Sequence, residues 1–538
     1  MNEILSSILA MDEASLAQLT EKLGITKADT INTATGLLWY DLRPVVGMMY
    51  PFRELIPLIS KLPREPYNGG NAFHWKRITA INSALASPGV SEGNRGARIA
   101  ITEQDQMATY KTMGLESSVT FEARLGALNL DPDALGIAVQ STLRATMIAE
   151  EQALLLANAT NALGITPTPT LSAGAPGTGI PAGTIPTASP GLYVACVALT
   201  GQGLQGYTPY NHTSNTGGVP GQITKTNADG TTDTFGGGSA QPSAQASVNV
   251  TLGQVVTATV ARVAGAVAYA WYAGTTATLY LAGISQSTEF IFATVPSNQN
   301  QPMTNLQVAA SYVDNSQNSL LPDGILSQIF TEVFGAAPGT TMATNSSLPS
   351  SNMSLSNSGA IIYTAPPSNT GLTVAGTNIA EFDLVLQAAY DQYKIGFDKI
   401  YVSSADLNNF TGTMMSNGAS SMFRIMFDAA ADSGRLVAGR RVTSYMNKFY
   451  GNTLDIEVHP FLPPGTVLFW SDRVPYELPG VKNLLEARVR QDYYQIQWPL
   501  STRRYEYGVY VDEVFACYFC PAFAAITNLN PSTGPKYA

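Results

Sequence analysis

The residues that could do chemistry are few and scattered. Cys517-Tyr-Phe-Cys520 has the spacing of a redox pair or half a zinc site. In a strand, however, residues three apart point to opposite faces. No second cysteine pair or histidine cluster completes a tetrahedral site, so these thiols are expected to be small buried side chains. His74, His212 and His459 lie in three separate segments, and no Gly-x-Ser-x-Gly elbow accompanies them. Gly236-Gly-Gly and Gly201-Gln-Gly lack the lysine and the strand–turn–helix setting of a phosphate loop. Glu150-Glu151 has the residue types for acid–base work, but a solvated or interface charge pair is the commoner meaning. Arg488, Arg490, Arg503 and Arg504 cluster near the end of the chain. They suit either phosphates or salt bridges to acidic residues of the N-terminal arm. No catalytic residue, cofactor or metal is expected.

Composition points away from an isolated soluble enzyme. The chain has 538 residues, 45% of them hydrophobic and only 13% charged, about half the usual charged share. The longest apolar runs, such as Phe515–Phe523, fall short of the ~18 residues that span a membrane, which leaves burial in a large assembly as the expected cause. A net charge of −10 argues against tight sequence-independent nucleic-acid binding. It is compatible with weak contact to enclosed DNA. Met1-Asn-Glu-Ile-Leu-Ser-Ser has no basic n-region followed by an apolar h-region, so no signal peptide is expected.

Charge is also distributed unevenly. Of the 29 basic and 39 acidic residues, only eight lie within 165–380, which marks a Thr/Ser/Gly-rich insertion. Before it, Asp12 to Gly24 predicts a short capped helix, and Leu37-Leu-Trp-Tyr and Val45–Tyr50 are apolar patches interrupted by prolines. Period-two alternation over 71–122 (Phe73, Trp75 and Arg77, then Ile99 and Ile101, then Val119 and Phe121) predicts a long hairpin. Asp131, Pro132 and Gly164 bound a predicted helix of about 32 residues, roughly 48 Å long. Its apolar positions are Leu135, Val139, Leu143 and Met147. A proline-rich linker over 165–189 leads to short strands over 190–296 that suit a β-sandwich. Downstream, the spacing predicts a helix over 381–395 with Phe382, Leu386, Ala389 and Tyr390 inward. Strands are predicted at 399–402, 454–458 and 467–470 and from 505 onward, and Ser403 is placed to cap a following helix.

The C-terminal half carries a distinctive order. Phe397-Asp-Lys-Ile-Tyr-Val-Ser-Ser-Ala-Asp-Leu is followed by Gly451-Asn-Thr-Leu-Asp-Ile-Glu-Val-His-Pro-Phe-Leu-Pro-Pro-Gly-Thr-Val-Leu-Phe-Trp-Ser-Asp-Arg, then by Tyr505-Glu-Tyr-Gly-Val-Tyr-Val-Asp-Glu-Val and Pro521-Ala-Phe-Ala-Ala-Ile-Thr. Over residues 30–164 and 320–530 this resembles the major capsid proteins of tailed bacteriophages, the HK97-like fold. The resemblance implies an α+β chain with these parts: an N-terminal arm (1–60), an extended E-loop hairpin with peripheral-domain strands (61–130), a spine helix (131–164) and a linker (165–189). An inserted immunoglobulin-like or fibronectin-like sandwich (190–296), an axial domain (297–460), returning peripheral-domain strands (461–530) and a tail (531–538) complete it.

The resemblance implies hexamers and pentamers on an icosahedral lattice around double-stranded DNA, without enzymatic activity or membrane. It also implies a separate scaffolding protein, a portal and, in some relatives, a decoration protein. On this reading Phe73, Trp75, Lys76, Arg77, Ile99 and Ile101 of the E-loop would lie on a neighbouring copy. Each few hundred Å² so buried would contribute about 25 cal/mol per Å². Some relatives cross-link a lysine to an asparagine, a minor role open to Lys76 or Lys111. Tyr207, Tyr210, Trp271 and Tyr272 of the insertion are candidates for an outward-facing carbohydrate site, although strand alternation makes Trp271 the expected core residue. The rival readings are a tail or surface adhesion protein that binds host glycans, and a secreted hydrolase with an accessory sandwich.

Overall fold

The computed structural model describes residues 52–67, 69–80, 89–96, 102–126, 134–177, 179–331, 348–367, 371–375, 378–416, 442–472, 483–500 and 502–530. The predicted helix at 12–24, the apolar patches at 37–50, Ile99, Ile101 and the side chain of Arg77 lie outside them. The described residues group into two units, one holding 119–126 and 134–137, the other 52–118 and 138–530 where described. In the first unit, Phe121 does not extend a strand. It opens helix α1 (Phe121–Gly126), because the Thr120 hydroxyl accepts the Ala123 N–H at 3.2 Å and caps a first turn.

In the second unit, one sheet of four strands joins distant parts of the chain. Its order is β1 (Arg64–Pro66), β18 (Leu485–Gln497), β19 (Arg504–Cys517), β4 (Lys111–Thr120). β18 and β19 are antiparallel from Leu485↔Cys517 to Gln497↔Tyr507, and β1 runs parallel to β18. β4 lies so close to β19 that a Cβ on Gly114 would stand 2.2 Å from the Tyr510 ring, so glycine is the residue that fits. β2 (Ala72–Ala80) and β3 (Thr102–Thr109) form a separate two-stranded hairpin.

Helix α2 (Ala134–Leu156) has 23 residues, about 35 Å at the ~1.5 Å helical rise. It stops well before Gly164, where the sequence placed its end. The N–H groups of Ala159 and Thr160 turn to the Asp323 carboxylate at 2.8 and 3.1 Å, and that of Asn161 to the Asn158 side chain at 3.0 Å. Gly324 donates to the Ala157 carbonyl. A Cβ on Gly324 would sit 2.5 Å from the Ala153 oxygen. Asp323 and Gly324 lie far away in sequence, so local periodicity could not reveal the stop. The fully buried stripe is also unexpected: Thr142, Thr146 and Glu150, with Leu143 and Met147 only half-buried. Each threonine hydroxyl donates to the carbonyl four residues back, which satisfies it without a distant partner.

The sandwich begins earlier than expected. β5 (Thr170–Gly174), inside the supposed linker, pairs with β8 (Val255–Thr259), in a sheet ordered β11 (Glu289–Phe292), β8, β5. Pro167, Pro169 and Pro176 flank β5, as an edge strand tolerates. The facing sheet is ordered β7 (Ala246–Val250), β6 (Ala188–Leu199), β9 (Ala268–Gly274), β10 (Tyr280–Ser285). Leu192, Val194, Trp271, Phe290 and Phe292 fill the space between the two sheets.

A seven-stranded sheet runs β12 (Met353–Leu355), β13 (Ile361–Thr364), β20 (Phe523–Thr527), β17 (Val467–Trp470), β14 (Lys399–Val402), β16 (Thr453–Val458), β15 (Ser444–Met446). The expected boundary at residue 460 therefore cuts through a single sheet, because β17 and β20 pair into its centre. Helix α4 (Ala380–Tyr393) buries Phe382, Val385, Leu386 and Ala389, with the Phe382 ring edge-on to Phe469 at 5.3 Å and to Tyr445 at 5.5 Å. Tyr390, expected inward, is 36% exposed, one position beyond the apolar face. The Ser403 hydroxyl caps helix α5 (Ser404–Ser416) by accepting the Asp406 N–H.

Candidate functional site

The hairpin presents two unlike faces. Residues opposite each other across an antiparallel pair share a face. Phe73↔Ala108 and Trp75↔Gln106 therefore lie on one side, and His74↔Met107 and Lys76↔Asp105 on the other. Phe73 and Trp75 stack at 5.4 Å and both meet the Tyr518 ring edge-on, while the Arg488 guanidinium lies 4.9 Å from the Phe73 ring. This aromatic pair is thus half-buried on its own chain, where the sequence reading laid it on a neighbour. The opposite face is open: His74, Lys76, Asp105 and Met107 are exposed, Met107 by 61%. Lys111 opens β4 and is half-buried.

The arginine cluster divides. Arg488 pairs with Glu486 at 2.5 Å and donates to the Tyr518 hydroxyl. Arg490 pairs with Asp512 and lies over the Tyr110 ring. Both are engaged with neighbouring strands, and the acids they meet belong to β18 and β19, where the sequence reading looked to the N-terminal arm. Arg503 and Arg504 are exposed at the start of β19.

Glu150 and Glu151 are not a solvated pair, since neither is more than 1% exposed. Successive helical residues point about 100° apart, so the two carboxylates grip different parts of one strap, residues 53–66. Glu151 accepts the backbone N–H groups of Leu58 and Ile59 at 2.9 and 2.8 Å and meets His459 Nε2 at 2.8 Å. The Phe461 N–H points at His459 Nδ1, which assigns Nδ1 as acceptor and leaves the proton on Nε2, facing Glu151. Glu150 takes Arg64 and the Tyr493 hydroxyl. Arg64 also reaches Glu513 at 3.4 Å and Asp492 at 2.9 Å. Burial raises the Glu150 carboxyl above its usual range despite Arg64. Burial, with Glu150 beside it, raises Glu513 further. Sequence singled out Glu150 and Glu151 but missed Arg64, Tyr493 and Glu513, whose segments meet only through β1, β18 and β19.

Cys517 and Cys520 are both buried in the core around α2, as expected of small apolar side chains. Among the described residues no group of three His, Cys, Asp or Glu side chains is placed to hold a metal, and no helix is long and apolar enough to cross a membrane. In the insertion, Trp271 is fully buried, its indole N–H donating to Ser285 at 2.8 Å. Tyr272 is equally buried on the other side of β9, its hydroxyl 3.0 Å from Gln301. Neither can line an outer site. Tyr207 is 38% exposed, and Tyr210 is half-buried with its hydroxyl on Asn215.

No protein-family model matches the chain, and no curated protein matches it. Solved structures similar to most of its length are shell proteins. The cyanophage A-1(L) capsid is 10% identical with a TM-score of 0.41, covering 92% of this chain and 98% of that one. The capsid of the empty GTA particle is 9% identical with a TM-score of 0.38, covering 93% and 99%. The SrpI encapsulin from Synechococcus elongatus PCC 7942 is 8% identical with a TM-score of 0.35, covering 92% and 94%.

Proposed function

We propose that this chain is the structural subunit of an icosahedral shell, a major capsid protein of the HK97-like kind, without enzymatic activity. It self-assembles as hexamers and pentamers into the head of a tailed phage, inside the host bacterial cytoplasm, and encloses double-stranded DNA. One observation carries the reading. Among the described residues β2 and β3 pair only with each other and rest on the body through one aromatic face, while Met107 and its neighbours stay open. A lone two-stranded hairpin is marginal in water, and contact with a sister copy supplies the burial it lacks. Closed symmetry repeats such a contact around every subunit.

The sandwich is then displayed on the outer surface as an immunoglobulin-like module. Scaffolding, portal and decoration proteins are the expected partners. Weak DNA contact falls to Arg503 and Arg504, which are exposed at the start of β19. The adhesion reading is weakened by the burial of two of its four aromatic residues, Trp271 and Tyr272. Negative-stain microscopy of the purified chain tests the proposal. Closed shells or capsomer rings are expected; fibres or a dispersed monomer at all concentrations would sink it.

A further inference from the structure

The cluster around Glu150 has an arithmetic problem. Two carboxyl groups, Glu150 on α2 and Glu513 on β19, have no side-chain exposure. One guanidinium, Arg64 on β1, reaches both, and it is shared with Asp492 on β18 at the exposed rim. Tyr493 on β18 uses its hydroxyl proton on Glu150. Glu513 Oε1 has no donor among the described residues. Two buried negative charges against one shared positive charge are costly. A proton held between the two carboxyls removes that cost, and one guanidinium brings them together, Arg64 Nη2 on Glu150 and Nη1 on Glu513. The neighbouring Arg490–Asp512 pair cannot help, because Asp512 points to the opposite face of the strand from Glu513.

We propose that Glu150 and Glu513 share one proton, and that this proton locks the strap of residues 57–66 onto helix α2 and β18, so that its loss at alkaline pH frees the strap. Arg64 is the mechanical link: it sits on β1, the last element of the strap, and its side chain ends in the acid pair. When the proton leaves, Arg64 faces three carboxylates, two of them buried and mutually repelling, and the β1–β18 pairing that positions them is strained. The backbone grip of Glu151 on Leu58 and Ile59 lies one residue along the helix and is not part of the proton count. It sets how far the strap opens. Burial moves both carboxyls in the same direction, upward, toward the protonated form.

Infrared spectroscopy and limited trypsin digestion of the full chain, wild type and Glu513→Gln, test this. At neutral pH the wild type should show the carbonyl stretch of a buried protonated carboxyl, which fades as the pH is raised and is missing in the variant. Cleavage after Lys61 and Arg64, scaled to an exposed reference site, should rise about tenfold in the wild type over the same range, corresponding to 1.36 kcal/mol. In Glu513→Gln it should stay flat. Absence of the protonated band at neutral pH overturns the proposal without reference to any variant. A band that fades while strap cleavage stays constant overturns the locking role.

Discussion

Glu151 and His459 meet at 2.8 Å with no exposed surface on either side chain, although 308 residues separate them. The pair closes the third bond of a carboxylate that already holds two backbone N–H groups. A buried carboxylate with three donors is satisfied, and removing it leaves three buried donors unmade. Glu151→Ala should therefore destabilise the chain by about 3–5 kcal/mol, measured by chemical denaturation. Glu151→Gln should cost less, since its amide oxygen can still accept. Equal losses would show that a retained amide acceptor contributes nothing and that the carboxylate itself is required there.

Asp406 predicts a pH dependence. Burial lifts its carboxyl from 3.8 to about 6, opposed by hydrogen bonds from Ser403 and the Gly465 N–H. A folded-state value above the unfolded one contributes stability that is complete at acid pH and lost as pH rises from about 4 through about 6. Asp406→Asn keeps an acceptor for both donors and cannot ionise. Its stability relative to wild type should increase between pH 4 and pH 8, by up to ~3 kcal/mol for a shift of about two units. Thermal unfolding at both pH values checks this, and an unchanged difference would show that Asp406 does not titrate as argued.

The end of α2 is set by Asp323. Replacing it by Ala leaves the half-buried N–H of Ala159 and the exposed N–H of Thr160 without their acceptor, at about 0.5–1.5 kcal/mol for each hydrogen bond lost. Hydrogen exchange should accelerate at these two amides before it does within Ala153–Leu156. Uniform acceleration would mean that the whole helix depends on this carboxylate.

Trp271 sits between Phe290 at 5.9 Å and Phe292 at 6.4 Å. Trp271→Ala should cost the insertion about 3–5 kcal/mol. Tyr207→Ala, at a position 38% exposed, should leave stability within about 0.5 kcal/mol. Paired denaturation curves test the contrast. A comparable loss for Tyr207→Ala would place that ring in a core.

Much of the architecture could be read along the chain because it is written in local periodicity. The Ala268–Gly274 strand, the Phe382 and Leu386 face of α4, the Ser403 cap and the alternation of Leu454, Ile456 and Val458 all depend on neighbours within a few residues. Trp271 announced its burial by alternation alone. What misled was equally physical. Leu135 to Met147 marked one side of α2, yet Thr142, Thr146 and Glu150 are buried where Leu143 and Met147 are not, because a threonine can satisfy its hydroxyl on its own helix and an acid can be neutralised by a distant arginine. The prolines around Thr170–Gly174 suggested a linker, where an edge strand tolerates them.

Composition, charge and period determined an α+β chain with a hairpin, a long helix and a charge-poor stretch of short strands, since these follow from short-range sterics and from apolar pattern. Tertiary structure alone decided where α2 stops, that Phe73 and Trp75 lie on Tyr518, and that Arg64, Glu150, Tyr493 and Glu513 share one buried site. Each of those outcomes depends on which residues, scores to hundreds of positions apart, are brought within a few ångströms, and the desolvation that gives such contacts their strength exists only after the chain has closed around them.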